Sequence, residues 1–110
     1  MMVLHSFLTE NIEYLICSNG LAAVSEKAAL LCSRTEGVGA DKVLCYADHA
    51  WHVFLADGSE AVLTAKEQEI CTAFYLTQEL PAEMMSAEIH LTSAFCRKLG
   101  LVAQKVQMAG

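Results

Sequence analysis

The dipeptide Asp57-Gly58 separates two apolar stretches, and it constrains the fold more than any other feature of this chain. Asp-Gly suits the central positions of a tight hairpin turn, where the backbone adopts positive φ angles. Trp51 to Ala56 and Glu60 to Leu63 are therefore predicted to pair as antiparallel strands. A strand from Lys42 to Tyr46 precedes them across the short loop of residues 47–50. Together these segments predict a three-stranded meander.

The segments before and after the meander alternate between strand and helix signals. Val3 to Leu8 and Ile12 to Cys17 are rich in β-branched, aromatic and Leu residues and predict a first hairpin. Ser25 is suited to cap a helix that runs to about Arg34. Thr64-Ala65-Lys66-Glu67 fits the capping box, which predicts another helix from Ala65 to about Gln78.

The C-terminal part of the chain is predicted to contain one more helix and one more strand. Pro81 suits the first turn of a helix, and Gly100 suits its end. Such a helix would carry Met84, Met85 and Phe95 on an apolar face, and Leu101 to Met108 would follow as a strand. The predicted order is β-β-α-β-β-β-α-α-β, which is an α+β fold.

Length and charge limit the classes of function. A chain of 110 residues is expected to form a single domain over residues 1–110. Its net charge of −6, with seven scattered Lys and Arg residues, disfavours nucleic-acid binding. No apolar run approaches the ~20 residues that cross a bilayer. The first twenty residues lack the basic region of a secretory signal. We therefore expect a cytoplasmic protein without a membrane or nucleic-acid partner.

Hydrophobic residues make up 55% of the chain, and the mean hydropathy is +0.37. Such a composition indicates that a partner covers some of the apolar surface, and a homodimer is the commonest arrangement. The five cysteines are odd in number and widely spaced, and they are interpreted as small buried packing residues.

Two motifs suggest ligand chemistry but have simpler interpretations. Gly37-Val38-Gly39 resembles a phosphate loop, but a helix precedes it and a strand follows, the reverse of the dinucleotide-binding order. We interpret it as a tight helix-to-strand connection. His49 and His52 lie an odd number of residues apart and would point to opposite faces of a strand. Neither a metal site nor a cofactor is predicted.

The stretch "KAALLCSRTEGVGADKVL", followed by an aromatic strand and "FLADGSEA", resembles the N-terminal domain of diaminopimelate epimerase and its relatives. The resemblance covers about forty residues. It is carried by Leu31, Cys32, Arg34, Gly37, Val38, Gly39, Ala40, Asp41, Phe54, Ala56, Asp57, Gly58, Ser59, Glu60 and Ala61. It implies half of an epimerase-like fold, with a mixed or antiparallel sheet curled around a central helix and two C-terminal helices.

The chain departs from that family where the family's catalytic residues lie. There the hairpin leads into Cys-Gly-Asn-Gly at a helix N-terminus, the Cys exchanges the α-proton of the substrate, and helix amides hold its carboxylate. A second homologous domain supplies another Cys. Here Thr64 takes the Cys position, residues 65–67 replace Gly-Asn-Gly, and Leu55 replaces the substrate-binding Asn of the hairpin. An unassisted hydroxyl is too weak an acid for this exchange, although related dehydratases of the proline racemase group use a Thr opposite a Cys.

The sequence therefore favours a protein that is not an enzyme, a self-associating binding or assembly module with no catalytic residue. Its candidate interface residues are Met84, Met85 and Phe95. The alternative is a homodimeric isomerase or carboxylate-binding protein with its site in the dimer cleft. The candidate ligand-binding residues for this alternative are Thr64, Ala65, Lys66, Asp57 and Ser59. A DNA-binding regulator is disfavoured by Pro81 and by the acidic composition.

Overall fold

A computed structural model describes residues 2–17, 25–81, 84–92, 94 and 95. The elements follow the order β1 (Met2–Thr9), β2 (Ile12–Cys17), α1 (Ser25–Cys32), β3 (Lys42–Ala47), β4 (Ala50–Leu55), β5 (Glu60–Ala61), α2 (Ala65–Thr77) and β6 (Met85–Leu91). Within these residues no helix is both long and apolar enough to cross a membrane.

The six strands form one mixed sheet in the order β5-β4-β3-β2-β1-β6. β2 and β3 are parallel, and α1 is the crossover between them. The other neighbours are antiparallel. The predicted α+β class is therefore confirmed.

Turn residues determine the hairpins as the sequence predicts. Glu10-Asn11 joins β1 to β2 with φ angles of 53° and 63°, and Asp48-His49 joins β3 to β4 with 53° and 64°. Positive φ at both central residues matches the twist of the flanking strands. The Asp57-Gly58 turn follows, with Gly58 at φ 90°. It confirms the predicted meander, although β5 is shorter than expected.

The two helices cover opposite faces of the sheet. Ala28, Leu31 and Cys32 of α1 pack on one face, here called the α1 face, together with Leu15 and Cys17 of β2. The other face, here called the α2 face, is covered by α2. Its core residues are Phe7, Tyr14, Ile16, Leu44, Val53, Ile70, Cys71 and Phe74. Burial on both faces explains why β2 and β3 are nearly continuous apolar runs. The epimerase-like curl around one central helix stays a prediction.

The C-terminal region differs from the prediction. The helix from Ala65 is confirmed, but the helix expected from Pro81 is wrong, because Met85–Leu91 form β6. This segment alternates apolar and polar residues, a period of two that suits a strand. β6 pairs antiparallel with the edge of β1, and Leu4 of β1 lies opposite Ile89 of β6. Residues 96–110, including the predicted strand Leu101 to Met108, lie outside the described residues.

The candidate interface residues consequently do not share a helical face. Met84 packs against the α2-face core, whereas Phe95 packs against the α1-face core. Met85 lies in β6 and is 74% exposed. The cysteines Cys17, Cys32, Cys45 and Cys71 are buried, as predicted for packing residues.

Candidate functional site

The N-terminus of α2 is the position at which the resemblance predicts a ligand. Thr64 caps the helix in an extended conformation, with φ −76° and ψ 164°. Its hydroxyl accepts a hydrogen bond from the Glu67 amide at 3.1 Å, and Oε1 of Glu67 accepts one from the Thr64 amide at 3.0 Å. The predicted capping box is confirmed.

Glu67 does more than cap the helix, since it is only 2% exposed. Its Oε2 accepts a hydrogen bond from the Tyr14 hydroxyl at 2.6 Å and another from Lys42 Nζ at 3.0 Å. Nζ of Lys42 also lies 5.9 Å from the centre of the Tyr14 ring. A buried charge requires partners of this kind to offset its lost hydration.

The surroundings of Glu67 favour its ionised form. Burial alone raises the pKa of this carboxyl, but the hydrogen bonds from Thr64, Tyr14 and Lys42 outweigh burial and hold the pKa below its ordinary value. Burial and the bond to Glu67 both raise the pKa of Tyr14. The centre therefore holds a carboxylate and a protonated phenol at neutral pH.

Tyr14 and Lys42 were not predicted as partners of Glu67. They face each other in the register between β2 and β3. This pairing is parallel and depends on the α1 crossover, so no local signal shows it. The Tyr14, Lys42 and Glu67 side chains are here called the carboxylate centre.

The remaining predicted ligand residues make contacts of their own. Nζ of Lys66 lies 3.2 Å from the Thr9 hydroxyl and 3.5 Å from a carboxylate oxygen of Glu10, so it points toward the first hairpin turn. Ala65 lines a shallow depression on the outer side of α2, which Lys66 does not line. Thr64, Ala65 and Lys66 follow one another at the start of α2, but each of the three side chains has different neighbours.

Asp57 and Ser59 bond to each other within the hairpin turn. The Asp57 carboxylate accepts hydrogen bonds from the Ser59 amide at 2.9 Å and the Ser59 hydroxyl at 2.6 Å. These bonds lower the pKa of Asp57. Both side chains therefore stabilise the local turn, and this role explains why Asp and Ser occur at these positions without invoking a ligand.

The glycine-rich connection also serves the fold. The amides of Val38 and Gly39 donate to the carbonyl of Leu31 at 3.0 Å and 3.2 Å. A Cβ on Gly37 would lie 1.9 Å from the carbonyl oxygen of Leu30. The segment therefore packs against the end of α1, and these two amides are occupied by a helix carbonyl. The predicted helix-to-strand connection is confirmed.

The histidines of the β3–β4 hairpin do not meet. His49 lies in the turn, whereas His52 Nδ1 lies 2.8 Å from Glu60 and its Nε2 lies 3.1 Å from the carbonyl oxygen of Ala47. The hydrogen bond to Glu60 is the main cause of a raised pKa for His52. In the described part of the chain, no group of three or more His, Cys, Asp or Glu side chains is arranged to hold a metal ion.

Two surface features were not predicted. An aromatic cluster joins Tyr46, Trp51 and Tyr75, with 4.8 Å between the ring centres of Tyr46 and Tyr75. Tyr46 and Trp51 are opposite each other in the register of β3 and β4, so the hairpin accounts for their contact. It does not account for the contacts that Tyr75 of α2 makes with both rings. The second feature is a groove of about 610 Å³ on the α1 face, beside β6. The sequence does not predict this groove, because β6, which forms one side of it, lies where the sequence predicts a helix.

The chain was also compared with known proteins. No protein-family model matches it, and no curated protein is significantly similar to it.

Proposed function

We propose that this chain is a non-catalytic module that assembles with a second copy of itself. The observation that carries the proposal is the place of Glu67 at the start of α2. In an epimerase-like site, the amides of this helix end would receive the carboxylate of a substrate. Here the chain's own carboxylate occupies the positive end of the helix dipole.

A second carboxylate would meet an unfavourable environment at this position. It would approach the ionised Glu67, whose two oxygens already engage the Thr64 amide, Tyr14 and Lys42. Like charges at short range in a buried setting repel strongly. Displacing Glu67 would leave a buried charge without its partners, a cost of several kcal/mol. The carboxylate-binding alternative is therefore disfavoured.

Self-association is supported by the exposed apolar surface. Met85, which lines the groove beside β6, is 74% exposed. The groove beside β6 adds a concave apolar surface on the α1 face. Surfaces of this kind are typical of protein interfaces. The epimerase-like ancestry of the domain and its cytoplasmic location belong to the same proposal and are supported by the sequence alone.

Two measurements test the proposal. The purified chain is incubated in D₂O with diaminopimelate or proline, and α-proton exchange is followed by NMR. We expect no exchange above the rate without protein. Sedimentation equilibrium is expected to give the mass of a dimer. Exchange that disappears in Thr64→Ala would refute the non-catalytic assignment, and a monomer at every concentration would refute self-association.

A further inference from the structure

Among the described residues, β6 is an edge strand of the sheet. Only Leu91 is buried, Ile89 is half-buried, and the other five residues are exposed. One edge of β6 pairs with β1, and no strand among the described residues pairs with the other edge. The opposite edge of the sheet is β5, which has only two residues. An open edge as long as β6 is a template for pairing with another strand.

The first hairpin determines which backbone groups of β1 face β6. In a two-residue hairpin the residues flanking the turn form a hydrogen-bonded pair, here Thr9 and Ile12. Hydrogen-bonded and non-hydrogen-bonded pairs then alternate along an antiparallel ladder. The odd-numbered residues of β1 therefore bond to β2, and its even-numbered residues bond to β6.

The same alternation identifies the outward backbone groups of β6. Leu4 of β1 is opposite Ile89, so the odd-numbered residues of β6 are those that bond to β1. The N–H and C=O groups of Ser86, Glu88 and His90 consequently point to the open edge. A strand that pairs there must present its own unpaired backbone N–H and C=O groups to these three residues.

Charge distinguishes the registers in which β6 can pair with itself. On the α2 face, a Glu88 carboxylate oxygen lies 3.6 Å from His90 Nε2, and the other lies 3.9 Å from His5 Nε2. With Ile89 on the twofold axis of an antiparallel pair, Glu88 of each copy lies opposite His90 of the other. With Glu88 on the axis, the two carboxylates lie opposite each other, which is unfavourable.

The register with Ile89 on the twofold axis, here called the Ile89 register, also joins the apolar surfaces of the two copies. Ala87 and Ile89 line the groove on the α1 face together with Leu8 and Val38. In this register Ile89 contacts Ile89 of the second copy, and Ala87 lies opposite Leu91. Apolar side chains of both copies thus share one face, while the Glu88 and His90 side chains share the other.

We propose that β6 pairs antiparallel with β6 of a second copy, with Ile89 on the twofold axis, so that two six-stranded sheets become one. The inference rests on the proposed self-association and specifies its interface.

Charge exchange provides one test. In Glu88→Lys a lysine faces His90 of the other copy, and in His90→Glu two glutamates face each other. We expect each variant alone to dimerise about tenfold more weakly than the wild type. In a mixture of the two variants, the introduced lysine of one copy faces the introduced glutamate of the other, and the remaining His90 faces the remaining Glu88. The mixture should form heterodimers by native mass spectrometry, and equal weakness in the mixture would contradict the register.

Disulfide trapping provides a second test. Residues opposite each other in a non-hydrogen-bonded pair have Cα atoms about 4.5 Å apart, which suits a disulfide. Full-length Ile89→Cys is therefore expected to form a covalent dimer on oxidation, visible on a non-reducing gel. Ala87→Cys is the matched control on the same face, because its counterpart lies roughly 14 Å away along the strand. Wild-type protein treated in parallel accounts for the native cysteines.

The outcomes separate the two proposals. A wild-type chain that sediments as a monomer overturns the proposed self-association. A wild-type dimer in which Ala87→Cys or Glu88→Cys cross-links as readily as Ile89→Cys overturns the β6 register alone. A wild-type dimer with cross-linking confined to Ile89→Cys supports both.

Discussion

The Tyr14 hydroxyl lies 2.6 Å from Oε2 of Glu67 and joins the second strand of the sheet to the first turn of α2. The contact is buried, and its two residues are 53 positions apart in the chain. It therefore connects the α2 face of the sheet to the helix that covers it.

Replacing Tyr14 with Phe tests this connection. The variant keeps the ring, which stacks on Phe7 with 4.8 Å between ring centres, but removes the donor to Glu67. A hydrogen bond to a charged group contributes about 1.5–3 kcal/mol. We expect the free energy of unfolding, measured by urea denaturation, to fall by about this amount. Tyr75→Phe is the control, because it removes a hydroxyl that bonds to the uncharged Tyr46 on the exposed side of α2. Equal effects of the two variants would contradict the prediction.

Lys42 and Glu67 are expected to be energetically coupled. Lys42→Met removes the charged partner of the buried carboxylate, and Glu67→Gln removes the charge but retains an acceptor for the Thr64 amide. Each single variant should destabilise the chain. The double variant should cost less than the sum of the two, by about 0.5–3 kcal/mol. Additive losses in the double-mutant cycle would show that the two side chains do not interact.

The low pKa of Glu67 makes stability depend on acid pH. The folded pKa lies below the ordinary value of 4.5, so the folded state binds this proton more weakly than the unfolded state. The resulting stabilisation is complete above the ordinary value and is lost as the pH falls through the folded pKa. Urea denaturation between neutral and acid pH should show a smaller acid loss in Glu67→Gln. An identical pH profile in the two proteins would contradict this assignment.

Gly37 and Gly39 should differ in their sensitivity to substitution. A Cβ on Gly37 would overlap the backbone carbonyl of Leu30 at 1.9 Å, whereas a Cβ on Gly39 would meet the Arg34 side chain at 3.4 Å. Gly39→Ala should cost about 1–2 kcal/mol for its left-handed conformation at φ 89°. Gly37→Ala should cost more, since the end of α1 must move. Thermal melts followed by circular dichroism would rank the two, and the opposite ranking would contradict the geometry.

Local chemistry made most of the fold predictable. Asp57-Gly58 indicates the second half of the meander, and Thr64 with Glu67 indicates the start of α2, because each signal lies within a few residues of the element it defines. The failure at β6 has a comparable cause. Pro81 and Gly100 resemble helix boundaries, whereas the strand at residues 85–91 depends on pairing with β1 at the other end of the chain.

The carboxylate centre was predictable only in part. The capping role of Glu67 is a local pattern, but its contacts with Tyr14 and Lys42 require the parallel register of β2 and β3. Sequence spacing does not show how a crossover helix aligns two strands. The aromatic cluster was missed for the same reason, since Tyr75 reaches it from α2.

The pairing of β1 with β6 has a consequence for the order in which the chain folds. The hairpins β1–β2 and β3–β4 close through two-residue turns and can form early, because short loops cost little entropy. β1 must wait for β6, which is synthesised much later. Until then its outer edge is open to strands of other nascent chains, so the yield of native protein should depend on how quickly the C-terminal strand docks.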